Sequence, residues 1–81
     1  MAADEAYTRE SVVELIERLV EELRSRDIIR WENTTLDFYL DALGGWLSDC
    51  RGYYRNNFDA DVPENPWRVI SDALEAARTY E

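Results

Sequence analysis

A chain of 81 residues with a net charge of −9, from 18 acidic groups against 9 arginines and no lysine, has room for one small core inside a surface that repels phosphate backbones. That balance argues against direct nucleic-acid binding, and no apolar run approaches the roughly 20 residues of a membrane span. The absence of histidine removes Ser-His-Asp and Cys-His nucleophile systems and His-containing zinc sites.

Hydrophobic residues at 46% against 33% charged still predict a folded domain rather than a disordered segment. Domains of this length retain only about 3 to 5 kcal/mol of stability unless something else contributes, and self-association into a homodimer is one such contribution. A disulfide within the chain is not available, because Cys50 is the only cysteine. A lone thiol fits a reducing cytoplasm better than secretion.

Residues 1–7 show no periodicity and are expected to form a flexible N-terminus ahead of a single helical domain over residues 8–81. The first helix is expected over residues 9–25, starting near Thr8 or Ser11, where Ser11-Val12-Val13-Glu14 has the spacing of a capping box. Val12, Ile16, Leu19 and Leu23 repeat at 4, 3 and 4 residues, with Val13, Leu15 and Val20 alongside, and make its apolar stripe. Glu10, Glu14, Glu17 and Glu21 repeat in the same way on the outer face, a row of like charges only partly relieved by Glu14 to Arg18.

The connection that follows contains Ile28, Ile29 and Trp31, too apolar to be left in water and expected to cover one end of the core. Thr34 is read as the cap of a second helix over residues 35–51. Leu36, Leu40, Leu43 and Leu47 repeat along it, with Phe38, Tyr39, Ala42, Trp46 and Cys50 widening the apolar arc. So broad an arc predicts a central element between two neighbours. Gly44 and Gly45 inside it predict either a close neighbour or a bend. Gly52 is read as the helix stop, followed by an aromatic-rich loop over residues 52–65. Asn65-Pro66 then opens a third helix over residues 66–80, with an N-cap and a proline at the first helical position. Trp67, Ile70, Leu74 and Ala77 form its stripe. Three amphipathic helices without a strand pattern predict an all-α, compact three-helix domain.

Trp31-Glu32-Asn33 followed by Thr35-Leu36, then Trp46, Gly52-Tyr53-Tyr54 with Asn56, Pro63, Pro66-Trp67, Ala76-Ala77 and Tyr80-Glu81, form a string that resembles a family of small bacterial domains of unknown function. The resemblance covers roughly residues 12 to 81. It implies a stand-alone small bacterial protein and brings no activity, ligand or functional residue with it. Members often carry a serine before the tryptophan that here directly follows Pro66.

Candidate chemistry is sparse. Cys50 lies on the apolar arc and reads as a buried, inert thiol. Carboxylates along one exposed helix face point the same way and do not surround a cation. Asn57-Phe58-Asp59-Ala60-Asp61 begins like a calcium loop, but Val62 replaces the needed glycine and Arg68 stands where the closing glutamate belongs. No cofactor, no metal and no catalytic set is therefore expected, and the chain is read as a non-enzyme.

Two surfaces remain as candidate interaction sites: Trp31, Glu32 and Asn33 at one end of the second helix, and Tyr53, Tyr54, Arg55 and Asn56 at the other. Glu14, Glu17 and Glu21 add an acidic face. Aromatic residues with arginine and asparagine have the composition of a protein-binding surface, while Tyr53 and Tyr54 also suit a role as covers of the core. The preferred expectation is a small acidic interaction module for a basic protein partner, an inhibitor or immunity-type protein being one instance. The competing one is a metabolite-binding protein or small enzyme with an aromatic pocket near Trp31, Tyr53, Tyr54 and Trp67. Helix geometry sets the two candidate surfaces at opposite ends of one element, which argues for two separate surfaces over a single pocket.

Overall fold

The computed structural model describes residues 6–26 and 31–80. They form three helices and no strand: α1 (Arg9–Arg24), α2 (Leu36–Phe58) and α3 (Pro66–Ala76). The all-α three-helix expectation therefore holds. The expected flexible residues 1–5, the expected core covers Ile28 and Ile29, and the terminal Glu81 lie outside the described residues.

α1 starts where the sequence indicates, but its capping box closes one turn earlier than Ser11 and Glu14. The Ser11 backbone N–H donates to Thr8 Oγ1 at 3.1 Å, and the Thr8 N–H donates to Ser11 Oγ at 2.8 Å. Thr8 is extended, so its hydroxyl reaches the free amides of the first turn. α3 starts as expected, with Asn65 Oδ1 accepting from the Trp67 N–H at 3.0 Å and Pro66 in the first turn. The N-cap of α2 is Thr35 rather than Thr34, and its side chain makes no capping bond.

Two expectations are corrected. Gly52 does not end α2; the helix runs on for six residues to Phe58 and stops at Asp59, which adopts the left-handed conformation at φ 50°. Tyr54 is the reason. It is 1% exposed and extends the buried stripe Ala42, Trp46, Cys50 by one more turn, so its packing outweighs the low helix propensity of Gly52. The aromatic-rich loop 52–65 is thus reduced to a connection after Phe58. At the other end, α3 stops at Ala76 and residues 77–79 form a turn.

The second correction concerns the centre of the fold. α1 and α2 each pack on α3, and they have no comparable interface with each other, so the short third helix is the middle element. Its buried residues Ser71 and Ala73, and Ala77 at its C-cap, are small, which lets neighbours approach it closely. The core is built from Trp46, Cys50 and Tyr54 of α2 against Ala73, with Leu43, Val69, Ala76 and Tyr80 around them. With α3 on one side only, α2 leaves part of its wide apolar arc in water: Leu36 is 74% exposed, Leu40 52% and Leu47 44%.

Residues 31–33 are laced to the turn after α3. The Glu32 and Asn33 amides both donate to the Arg78 carbonyl, at 2.8 and 2.9 Å, and Asn33 Nδ2 donates to the carbonyls of Ala77 and Tyr80, each at 2.9 Å. Trp31 is buried, stacked on Tyr39 with ring centroids 5.7 Å apart, and its Nε1 donates to Glu22 Oε1 at 2.9 Å.

Candidate functional site

The stripe of α2 that faces α3 divides its remaining surface into two flanks, and each flank borders a concave surface. On the leucine flank, Leu36 and Tyr39 of α2 face Ile16, Val20 and Leu23 of α1 across a groove of about 460 Å³. Leu74 of α3, Leu19 and Trp31 also line it, along with Asn33, Thr34 and Thr35. Among the described residues no charged residue lines the groove. Ile16, Val20, Leu23 and Leu36 are all exposed, so the groove is an apolar surface open to solvent.

On the opposite flank, Gly45, Asp49, Gly52 and Asn56 repeat at 4, 3 and 4 residues and face the C-terminal segment. A cleft of about 750 Å³ lies there. Asp49, Gly52, Tyr53 and Asn56 form its α2 side above Trp46; Glu32, Ala76, Thr79 and Tyr80 close it. Tyr53 and Trp46 have ring centroids 5.3 Å apart, and Tyr53 is 37% exposed. Tyr80 Oη donates to Asp49 Oδ2 at 2.5 Å, and this bond, followed by partial burial, raises the tyrosine pKa. The Tyr80 ring lies 3.5 Å from where a Cβ on Gly45 would stand, so of the two mid-helix glycines Gly45 has the close neighbour; Gly44 has none.

The candidate residues distribute as follows. Trp31 and Tyr54 are both buried, and of the two only Trp31 borders the groove. Tyr54 Oη donates to Asp72 Oδ2 at 2.7 Å, and burial together with that bond pushes its pKa well up. Asn33 is spent on the α3 turn. Glu32, Tyr53 and Asn56 come together in the cleft. The expectation that the two ends of α2 remain separate is corrected to that extent: the C-terminal segment carries Glu32 alongside the second half of α2. Arg55 pairs with Asp61 at 3.2 Å outside it. Glu14 lines a separate depression with Ser11, Arg18 and Asp72, while Glu17 and Glu21 are exposed on α1. Trp67 lies beside Tyr7 and Asn65, away from the cleft.

Sequence reasoning missed Asp49 and Tyr80 in the cleft and the open groove altogether. The 4, 3, 4 spacing of Gly45, Asp49, Gly52 and Asn56 marked a small and polar flank of α2 that an approaching chain segment uses. The groove had no such signal, because an apolar arc reads the same whether a neighbour covers it or not.

No group of three or more His, Cys, Asp or Glu placed to hold a metal ion occurs among the described residues, and no helix among them is long and apolar enough to cross a membrane. Fold and site define an acidic three-helix domain with an apolar groove on one flank of α2 and an aromatic, carboxylate-bearing cleft on the other. The chain belongs to the family of unknown function DUF7660, whose profile matches residues 8–81. No curated protein and no solved structure matches it.

Proposed function

We propose that this domain is a protein-interaction module of the bacterial cytoplasm that receives an amphipathic helix with basic flanks in the groove between α1 and α2. The observation that carries this is an apolar groove, uncharged among the described residues, with carboxylates beside it on both helices. Ile16, Val20 and Leu36 are open to solvent, and of the exposed residues beside them Glu17, Glu21, Asp37 and Asp41 are acidic against the single basic Arg24. A helix in such a groove buries its apolar i, i+3, i+4 and i+7 positions, and lysines or arginines beside them meet the acidic rim. The net charge of −9 speeds encounter with a basic partner and slows encounter with a second copy. An inhibitor of a basic protein is one instance of such a module. The lone buried Cys50 suits the reducing compartment.

The test is titration of the purified protein with a synthetic amphipathic helix bearing lysine flanks, followed by tryptophan fluorescence, to which Trp31 contributes at the groove. Saturable binding is expected, weakening as salt is raised and lost in a Val20→Asp, Leu36→Asp double variant whose helical content is unchanged. Binding that survives in the double variant overturns the reading. So does a dimer mass in light scattering that the double variant converts to monomer, because the groove would then be occupied by a second copy.

A further inference from the structure

The cleft on the other flank of α2 is independent of the groove and has a different chemistry. Its walls combine the carboxylates of Glu32 and Asp49 with the rings of Tyr53 and Tyr80 over Trp46, and no basic residue lines it among the described residues. Five of the nine arginines are engaged in ion pairs elsewhere among the described residues. Arg9 pairs with Glu10, Arg18 with Glu22 and Glu75, Arg55 with Asp61, Arg68 with Asp72 and Arg78 with Glu22. None of these pairs includes Glu32 or Asp49, so among the described residues the two cleft carboxylates meet no cation of the chain itself.

Both are held in place by other means. The Glu32 backbone is fixed by its bond to the Arg78 carbonyl at 2.8 Å, while its carboxylate makes no hydrogen bond or ion pair with a described residue. Asp49 accepts from Tyr80 Oη through Oδ2 and keeps its second oxygen for another donor.

An anion is repelled from this site. A hard metal ion asks for six or more oxygen ligands and finds two carboxylates among aromatic rings. A guanidinium satisfies the whole lining: it is flat, weakly hydrated, stacks on aromatic faces and presents paired N–H donors to carboxylates. Tyr53, 37% exposed and fixed edge-on to Tyr54 at 5.1 Å, offers ring surface already ordered for such stacking.

We propose that the cleft between Glu32, Asp49, Tyr53 and Tyr80 binds a guanidinium group, carried either by a small guanidino compound or by an arginine side chain of a peptide.

The experiment is amide NMR titration of the full chain with four probes: N-acetyl-arginine amide, its citrulline and lysine counterparts, and a pentapeptide with arginine between glycines. The arginine amide is expected to give saturable shifts at Glu32, Asn56 and Tyr80. Citrulline, with the same shape and no charge, is expected to give none, and lysine to bind several-fold more weakly. Glu32→Gln and Asp49→Asn are each expected to weaken arginine binding about tenfold, the contribution of one charge-assisted hydrogen bond. Glu32→Gln removes the charge of a carboxylate that has no partner among the described residues, so a loss of binding in it is not a loss of fold. Tighter binding of the peptide than of the amide assigns the group to a peptide, and equal or weaker binding assigns it to a small compound. Equal binding of citrulline or of lysine, shifts that map outside the cleft, or no saturable shift overturns the proposal.

Discussion

Tyr54 and Asp72 join α2 to α3 through a 2.7 Å hydrogen bond from the phenol to the carboxylate, placed beside the core. Arg68 completes the group, with its Nε 3.7 Å from Asp72 Oδ2 and its guanidinium over the rings of Tyr54, Phe58 and Tyr7. This cluster orders the last two turns of α2, the part that carries Tyr53 and Asn56 into the cleft. Tyr54→Phe keeps the ring and removes the bond. It is expected to cost about 2 kcal/mol, the range for a hydrogen bond to a charged acceptor. Urea unfolding should show a lower midpoint at unchanged slope; an unchanged midpoint would show that the bond contributes nothing net.

The same tyrosine sets the alkaline limit. Burial first, then the bond to Asp72, raises its pKa, and burial raises that of Tyr39, whose hydroxyl donates to the Leu74 carbonyl at 2.7 Å. A pKa raised by folding means that the folded state holds the proton more tightly than the unfolded state. The resulting stabilisation is complete below the unfolded tyrosine value of about 10 and is lost as pH rises above it. Unfolding free energies measured from pH 7 to 11 should therefore stay level with respect to these groups until about pH 10 and then fall. Tyr54→Phe should flatten the fall while lowering the plateau. Parallel curves for the two proteins would remove Tyr54 as the cause.

Gly44 sits inside α2 with nothing within 4 Å of the position a Cβ would take. Gly44→Ala should therefore stabilise the domain by about 0.5 to 1 kcal/mol, because alanine restricts the unfolded chain and is accommodated in the helix. In a domain of this size that raises the melting temperature by roughly 2 to 8 °C. Gly45→Ala meets Tyr80 Cε2 at 3.5 Å, an ordinary van der Waals distance, and should also be tolerated. A loss of stability in Gly44→Ala would show that the helix bends there in solution.

The helices themselves were legible in the sequence because each carries its own periodicity and two of the three carry side-chain caps. Asn65-Pro66 and Thr8 announce their helix starts through local chemistry that tertiary structure does not alter. Gly52 misled, since a glycine marks a helix end only where the chain turns left-handed, and Asp59 takes that turn instead. The position of Tyr54 four residues after Cys50 was the correct signal. The centre of the fold was not legible, because burial of α3 rests on small residues that periodicity weights lightly. Half of the cleft was legible as Tyr53 and Asn56, and the other half depends on the Arg78 carbonyl drawing residues 32 and 33 across the molecule.

Asn33 makes that drawing-in specific. Its Nδ2 donates to two carbonyls left free after α3, those of Ala77 and Tyr80. Asn33→Ala leaves both without this partner and should cost about 2 kcal/mol. Hydrogen exchange is the sharper readout: the Glu32 and Asn33 amides, which donate to the Arg78 carbonyl, should lose protection before the α1 amides do. Uniform loss across the chain would mean that residues 31–33 and the C-terminal turn do not open as a local unit.

Asp59 is a correctable weakness at the end of α2. Its backbone is left-handed at φ 50° and ψ 46°, and its N–H donates to the carbonyls of Arg55 and Tyr54. Those bonds belong to the backbone and survive substitution. Its carboxylate stands where the helix dipole is negative and costs a few tenths of a kcal/mol. Asp59→Asn removes that charge and keeps a side chain that tolerates the left-handed region, so it should stabilise the domain by about 0.3 kcal/mol, with the gain shrinking in high salt. Asp59→Gly removes both the charge and the conformational penalty and should gain about 0.5 to 1 kcal/mol, most of it independent of salt. The two variants compared by urea unfolding at low and high ionic strength separate charge from conformation. If glycine gains nothing over asparagine, the left-handed turn at Asp59 is unstrained and the dipole is the whole effect.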